Sequence, residues 1–342
     1  MYENGLWIDN PCMDPHWNLA AEEYLMTSRD DTVAMLWRNE RSVIIGRNQD
    51  LRSEVDLDFA TKRGIVVSRR LTGGGAVFHD LGNVNYTFIT SHAGEKKLGF
   101  AHFAAPLIAA LGRMGVVAEL SGRNDLLVEG RKVSGCAHTF LRDRALYHGT
   151  LLFSADLSAM TGVLRVREEK YRGKGIASVS SRVGNLSEWL STPSRPMDVE
   201  GFMTALRGEL LAGSEFTPYA FTGEDVARIA ALRTEKYARE AWIDGGWRAA
   251  ERRGHARCDG GSVEAWLSLQ EGRIKRVRLT GDFFGVSPVA EVEEALTGAL
   301  YEREAVARAL PDALLQRALW NVPRETILEA LFSAGPEQLP KS

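Results

Sequence analysis

The sequence predicts an α+β protein: a mixed sheet packed with helices, then a small second domain. Three observations lead there. Short apolar runs bounded by turn signals recur through the first half of the chain. Helical spacing appears between them without the regular strand–helix alternation of a parallel α/β fold. A polar, glycine-rich stretch at 245–261 (GGWRAAERRGHARCDGG) then separates a last strand–strand–helix segment from the rest.

Taken in order, Asp14 and Pro15 supply an N-cap and a first helical position, and Trp17, Ala20, Ala21, Tyr24 and Leu25 follow at helical spacing, so one helix face is expected in the core. The runs 33–37 (VAMLW) and 42–46 (SVIIG), separated by polar residues, read as the two strands of a hairpin. A helix at 54–63 closed by Gly64, a strand at 65–69, the glycine run 73–75, and strands at 76–80 and 84–89 come next. Phe103, Leu107, Leu111 and Met114 repeat at helical spacing and Gly115 supplies a stop. Further strands are expected at 116–120, 126–128 and 147–153. From about 165 the chain is basic and rich in Gly and Ser, with little periodicity, which reads as a long loop. Helical patterns resume at 198–212 and 223–240, followed by strands at 262–269 and 273–280 and helices over 288–333. The expected domains are 1–245 and 255–342.

A length of 342 residues exceeds one average domain, and 44% hydrophobic with 25% charged residues is ordinary globular composition. The formal charge of −3, from 42 basic and 45 acidic residues, gives no global positive field for nucleic acid or an anionic membrane. The N-terminal MYENGLWIDN has no basic segment before an apolar run. Nowhere do about 18 apolar residues run together, so a cytoplasmic protein is expected. Cys12, Cys136 and Cys258 stand far apart, outside any CxxC pair, so neither a disulfide framework nor a zinc site is expected.

Three segments carry the candidate chemistry. In Arg69-Arg70-Leu71-Thr72-Gly73-Gly74-Gly75-Ala76-Val77-Phe78-His79-Asp80, consecutive glycines let backbone N–H groups approach an anion, and the two arginines offer forked donors for phosphate. A plain glycine-rich hairpin loop fits the same residues. In Asn124-Asp125-Leu126-Leu127-Val128-Glu129-Gly130-Arg131-Lys132-Val133-Ser134-Gly135-Cys136, Glu129 and Gly130 form a tight turn, and strand alternation puts Lys132 and Ser134 on one face. Lys132 suits either a pocket lysine or an edge-strand lysine; Asn124 and Asp125 suit Mg²⁺ or a ribose, or a simple turn. In Tyr147-His148-Gly149-Thr150, Gly149 permits close approach of a planar ligand, or marks a bulge.

Together with the run KGIASVSSRVGNLSEW, these segments resemble the lipoate-protein ligase family, which shares its catalytic fold with biotin protein ligases. The resemblance continues through GDFFGVSPVAEVEEALTGALYEREAVARAL. It implies a mixed-sheet catalytic domain and a small C-terminal accessory α/β domain. It also implies ATP and Mg²⁺ as partners of the reaction, lipoic acid as substrate, and transfer through lipoyl-AMP to a lysine of an acceptor. The acceptors implied are lipoyl domains of 2-oxo acid dehydrogenase E2 subunits and the glycine-cleavage H protein, served by a monomeric enzyme. Carried over by residue, Arg70, Gly75, Ala76, Val77, Phe78, Asn124 and Asp125 would hold ATP and the adenylate, with Asp125 at Mg²⁺. Lys132 would be catalytic and touch both substrates. Gly74, His79, His148 and Gly149 would line the lipoate site, and Lys174, Ser178 and Ser181 would lie in a lid loop.

Rival readings are an acyltransferase that moves octanoyl or lipoyl groups through a cysteine thioester without ATP, a non-catalytic relative, and a biotin ligase. The first needs a cysteine shortly before Asn124, where this chain has Leu120, Ser121, Gly122 and Arg123; Cys136 suits packing. The chain also departs from the family at AREAWIDGGWRAAERRG, where a Gly-Lys-Ser-Pro-like turn is common.

Overall fold

The first helix, Pro15–Ser28, starts where capping chemistry dictates. The Asp14 side chain accepts the backbone N–H groups of His16 and Trp17, and Pro15 sits in the first turn, where a missing N–H costs nothing. Leu19, Ala20, Ala21, Leu25 and Met26 form its inner face, each at most 2% exposed. The computed structural model describes residues 4–91, 99–122, 124–165, 182–194, 196–245 and 250–336. It divides into two compact units, one of Met1–Ile44, Glu54–Arg69 and Val77–Ile243, the other of Ile45–Ser53, Arg70–Ala76 and Asp244–Ser342.

Strands of the first unit are β1 (Asn4–Asp9), β2 (Val33–Trp37), β3 (Ser42–Ile45), β4 (Val66–Arg69), β5 (Val77–His79), β6 (Asn83–Ser91), β7 (Glu119–Ser121), β8 (Asp125–Val128), β9 (Arg131–Leu141), β10 (Arg144–Leu152) and β11 (Glu215–Pro218). Eight of them form one sheet in the order β11-β1-β2-β6-β10-β9-β8-β7. β1 lies parallel to β11 and β2, and the pairs from β2 through β9 are antiparallel, so the sheet is mixed. Helix Pro15–Ser28 packs on β6 and β10, and helix Phe100–Arg113 packs on β9 and on helix Val199–Leu211.

The hairpin expected from 33–37 and 42–46 does not form. All residues of β2 are buried, so it needs neighbours on both edges and finds them in β1 and β6. β3 belongs instead to a three-stranded sheet, β4-β3-β5. The connection between them turns about one buried residue: Asn39 is 0% exposed and its Oδ1 accepts from Asn18 Nδ2 at 2.8 Å. The helix expected over 54–63 is two pieces, Leu51–Glu54 and Leu57–Lys62, because Asp56 caps the second by accepting Phe59 N–H at 2.9 Å. The helix expected over 223–240 is α-helical only to Leu232, then makes a π turn over Arg233–Tyr237.

In the second unit, β12 (Arg252–Cys258), β13 (Gly261–Gln270), β14 (Arg273–Gly281) and β15 (Gly335–Pro336) form an antiparallel sheet in the order β14-β13-β12-β15. Glu271 and Gly272, both at positive φ (51° and 71°), turn β13 into β14 as the right-handed strand twist requires. Helices Ala290–Leu296 and Arg324–Phe332 cover the core built by Val263, Leu267, Leu279, Phe283, Leu296 and Ile327. The two short early segments join this unit through backbone bonds, Gly281 N–H to Asn48 O at 2.8 Å and Arg47 N–H to Thr72 O at 2.8 Å. Among the described residues no helix is long and apolar enough to cross a membrane.

Candidate active site

Lys132 owes its position to a tight turn and a bulge. Glu129 (φ 50°) and Gly130 (φ 76°) close the hairpin of β8 and β9, as the sequence predicts. The pairing then slips by one residue: Lys132 faces Leu127 and Ser134 faces Leu126, leaving Val133 as the extra residue. The simple alternation expected for Lys132 and Ser134 therefore fails. The Lys132 side chain lies over Gly135, where an added Cβ would be 3.1 Å from Nζ, and ion-pairs with Asp125 Oδ1 at 2.8 Å. Ser134 is wholly buried. The Lys132 and Asp125 side chains are 39% and 35% exposed, so both remain reachable by a substrate. Lys132 is tied at its backbone as well, its carbonyl accepting Gly184 N–H at 2.9 Å.

Asn124 holds the adjoining turn. Its Nδ2 donates to Cys136 O at 2.5 Å, and its own carbonyl accepts Cys136 N–H at 2.9 Å. Cys136 Sγ donates to the same carbonyl at 2.9 Å. Burial pushes the Cys136 thiol up to about 11, so at neutral pH it is a protonated, inward-facing group and a poor nucleophile. This is the opposite of what a thioester mechanism needs.

On β10, His148 is held by a carboxylate that sequence reading missed. Glu22, 2% exposed on the first helix, accepts from His148 Nδ1 with both oxygens at 2.9 Å. Its Oε1 also accepts from Thr87 Oγ1 at 2.6 Å, and Thr87 in turn accepts from Trp37 Nε1 at 2.8 Å. The carboxylate on Nδ1 fixes the orientation of the imidazole ring. The partners stand 126 residues apart, so no local pattern announces them. Burial, and then the neighbouring His148, lower the His138 pKa to about 4, which keeps that imidazole neutral. His79 is also buried, with Nδ1 3.0 Å from Asn39 Nδ2. The room beside Gly149 goes to protein: an added Cβ would meet Tyr86 Oη at 2.3 Å. The close approach expected at Gly149 is thus made by a phenol.

The glycine loop belongs to the second unit and reads differently from its sequence. An added Cβ on Gly73 would meet Phe283 O at 2.4 Å, and one on Gly74 (φ 89°) would meet the Phe284 ring at 2.9 Å. These two glycines admit the protein's own backbone and ring. Gly75 alone has nothing within 4 Å of its added Cβ, and Gly75, Ala76 and Val77 are half-buried. Arg70 is 5% exposed and braces the loop, its guanidinium donating to Thr72 Oγ1 at 2.8 Å, Gly73 O at 2.7 Å and Gly75 O at 2.8 Å. Arg69, expected beside it as a second phosphate donor, is 2% exposed and donates to the carbonyls of Trp242 and Ile243. Burial and those carbonyls remove it from the ligand-facing set. Phe78 is 3% exposed. Lys174, Ser178 and Ser181 lie outside the described residues.

The chain is similar to known proteins along its length. Residues 14–211 match the family described as the lipoyl protein ligase A/B catalytic domain, and residues 249–331 match that of the bacterial lipoate protein ligase C-terminus. The lipoate-protein ligase LplJ of Bacillus subtilis is 37% identical over 96% of this chain and 100% of its own length. The structure of LipL1 of P. falciparum in complex with lipoate superposes with a TM-score of 0.72 over 89% of this chain and 93% of its own; at 23% identity it speaks for the fold. A bipartite lipoate protein ligase from Thermoplasma acidophilum, described with its E2 lipoyl domain, gives a TM-score of 0.62 at 28% identity over 72% of this chain and 99% of its own. A lipoate-protein ligase A bound with ATP gives 0.60 at 26% identity, again over 72% of this chain and 99% of its own. Matched over nearly its whole length, with both domains in order, the chain belongs to the lipoate-protein ligase family.

Proposed function

We propose that Lys132 is the residue through which this ATP-dependent lipoate-protein ligase joins its two anionic substrates. The observation that carries the reading is an ammonium fixed at both ends, by the β9 backbone and by Asp125 at 2.8 Å, yet still 39% exposed. In the first step a lipoate carboxylate oxygen attacks the α-phosphorus of ATP and pyrophosphate leaves. A preorganised positive charge offsets the repulsion between carboxylate and phosphate and stabilises the charge gathered in the transition state. In the second step the neutral amine of an acceptor lysine attacks the carbonyl carbon of lipoyl-AMP, loses a proton, and AMP leaves. Lys132 polarises that carbonyl, and no enzyme nucleophile is required.

His148, oriented by Glu22, lines the lipoate site together with Gly74 and His79. Arg70, Gly75, Ala76, Val77 and Phe78 shape the nucleotide site, with Arg70 acting chiefly by bracing the loop. Asn124 holds its edge. Mg²⁺ would be held mainly by the ATP phosphates, with Asp125 as the carboxylate that the site offers it. Bound there, Mg²⁺ would supply positive charge against the departing pyrophosphate. The acceptors are lipoyl domains, such as those of 2-oxo acid dehydrogenase E2 subunits, and the glycine-cleavage H protein, and the enzyme works as a monomer in the cytoplasm. The deciding measurement is mass spectrometry of an apo lipoyl domain incubated with this protein, Mg²⁺ and lipoic acid. A gain of one lipoyl group only when ATP is present supports the reading; modification from an acylated carrier protein without ATP overturns it.

A further inference from the structure

The second unit carries a cleft of ≈ 630 Å³ lined by none of the residues assigned to lipoate or ATP. Edge strand β14 and helix Ala290–Leu296 contribute its walls, and its lining includes Arg47, Lys275, Arg276 and Arg278 against one carboxylate, Glu293. That carboxylate is occupied, accepting Leu279 N–H at 2.8 Å, and burial raises its pKa. Arg278 donates to the Gly245 carbonyl. Lys275 and Arg276 are exposed and make no ion pair among the described residues. Elsewhere on this unit several arginines are answered by carboxylates: Arg303 by Glu325, Arg317 by Glu291, Arg324 by Asp312.

A bulge makes the arrangement specific. Opposite Ser268 and Leu269 the register of β14 slips between Arg276 and Ile274, so Lys275 is the extra residue. Two consecutive cations therefore reach solvent where alternation would bury one. Gathering like charges in a concave surface costs free energy that an anionic partner returns.

Resting on the ligase reading, we infer that this cleft docks an acidic face of the acceptor protein and holds it while its lysine is acylated. A protein surface suits the cleft better than a small phosphate compound. The free cations sit on long flexible stems, and the edge N–H of Leu279, which a phosphate would seek, is already bound by Glu293. Complementary charge of this kind acts mainly on encounter rate and partner choice.

The test is the Lys275→Glu, Arg276→Glu double variant of the full chain, with a purified apo lipoyl domain as probe. The KM for that domain is expected to rise about tenfold and to lose most of its salt dependence. ATP–pyrophosphate exchange with lipoate, lipoyl hydroxamate formation from hydroxylamine, and the melting temperature are expected to stay unchanged. An unchanged KM for the lipoyl domain overturns the docking site, as does a raised KM for ATP with the acceptor unaffected, which would assign the cleft to phosphates. Absence of exchange in the unsubstituted chain overturns the ligase reading and the docking site with it; exchange with an unaltered acceptor KM overturns the docking site alone.

Discussion

Replacing Lys132 with alanine does two things at once. It removes the ammonium, a loss that for one preorganised electrostatic donor costs about 10²–10³ in rate, or roughly 3–4 kcal/mol. It also leaves Asp125, formerly paired at 2.8 Å, as a bare carboxylate facing two anionic reactants. Because the two side chains are 39% and 35% exposed, water screens that repulsion, and about 1 kcal/mol, roughly fivefold in rate, is an upper value for it. Lys132→Ala is therefore expected to slow ATP–pyrophosphate exchange by about three orders of magnitude. Adding Asp125→Asn should then restore about fivefold, although it removes a second polar group. Asp125→Asn alone keeps the ammonium and should stay within about fivefold of the parent if pairing is its whole role. Exchange in Lys132→Ala within tenfold of the parent refutes the charge argument. A loss beyond about 10² in Asp125→Asn, additive with Lys132→Ala, shows that Asp125 acts chiefly on the metal and not through the lysine.

Other expectations follow from the buried groups. Glu22→Gln keeps the shape but gives His148 Nδ1 and Thr87 a weaker, one-sided partner; losing one charge-assisted hydrogen bond, about 1.5 kcal/mol, should raise the KM for lipoate about tenfold in the exchange assay with little change in KM for ATP. Cys136→Ala should lower stability by about 1 kcal/mol in urea melts and leave both half-reactions near the parental rate, since the thiol is protonated and buried. Asp225→Ala should cost about 3–5 kcal/mol, because the carboxylate, 3% exposed, accepts from Tyr24 Oη at 2.5 Å, from Tyr219, from Thr222 and from Arg29 at 3.1 Å. Burial alone would raise the Asp225 pKa, but hydrogen bonds from Tyr219 and Tyr24 outweigh it and hold the carboxyl below its ordinary value. Its folded pKa thus lies under the unfolded one, so its contribution is complete above the unfolded carboxylate range and is lost as pH falls below about 4. Urea melts of parent and variant should accordingly converge in acid and differ fully at neutral pH.

How far the sequence was legible depended on how local the cause was. The Asp14–Pro15 cap, the Phe103–Leu107–Leu111 stripe and the Glu129–Gly130 turn are each written within a few residues, and each appears where expected. β2 and β3 were misjoined because both a hairpin strand and a central strand are short apolar runs, and only the burial of Asn39 marks the corner. The Lys132 segment was found by pattern, but its pairing with Asp125 depends on a bulge that alternation cannot foresee. No pattern singles out Glu22, and Tyr24 reads as core; their partners His148 and Asp225 are 126 and 201 residues away. The glycines were read as room for a ligand because sequence tells that space is needed, and not what fills it.

Gly73 and Gly74 owe their lack of side chains to Phe283 and Phe284, more than 200 residues later in the chain. The apparent linker near residue 245 is therefore a poor place to shorten the gene. A fragment ending there would keep the residues of the glycine motif intact while losing the carbonyl that receives Gly74 N–H and the ring that limits its motion. Such a fragment would still read as an intact signature to any pattern search, yet it would carry that loop as a free hinge.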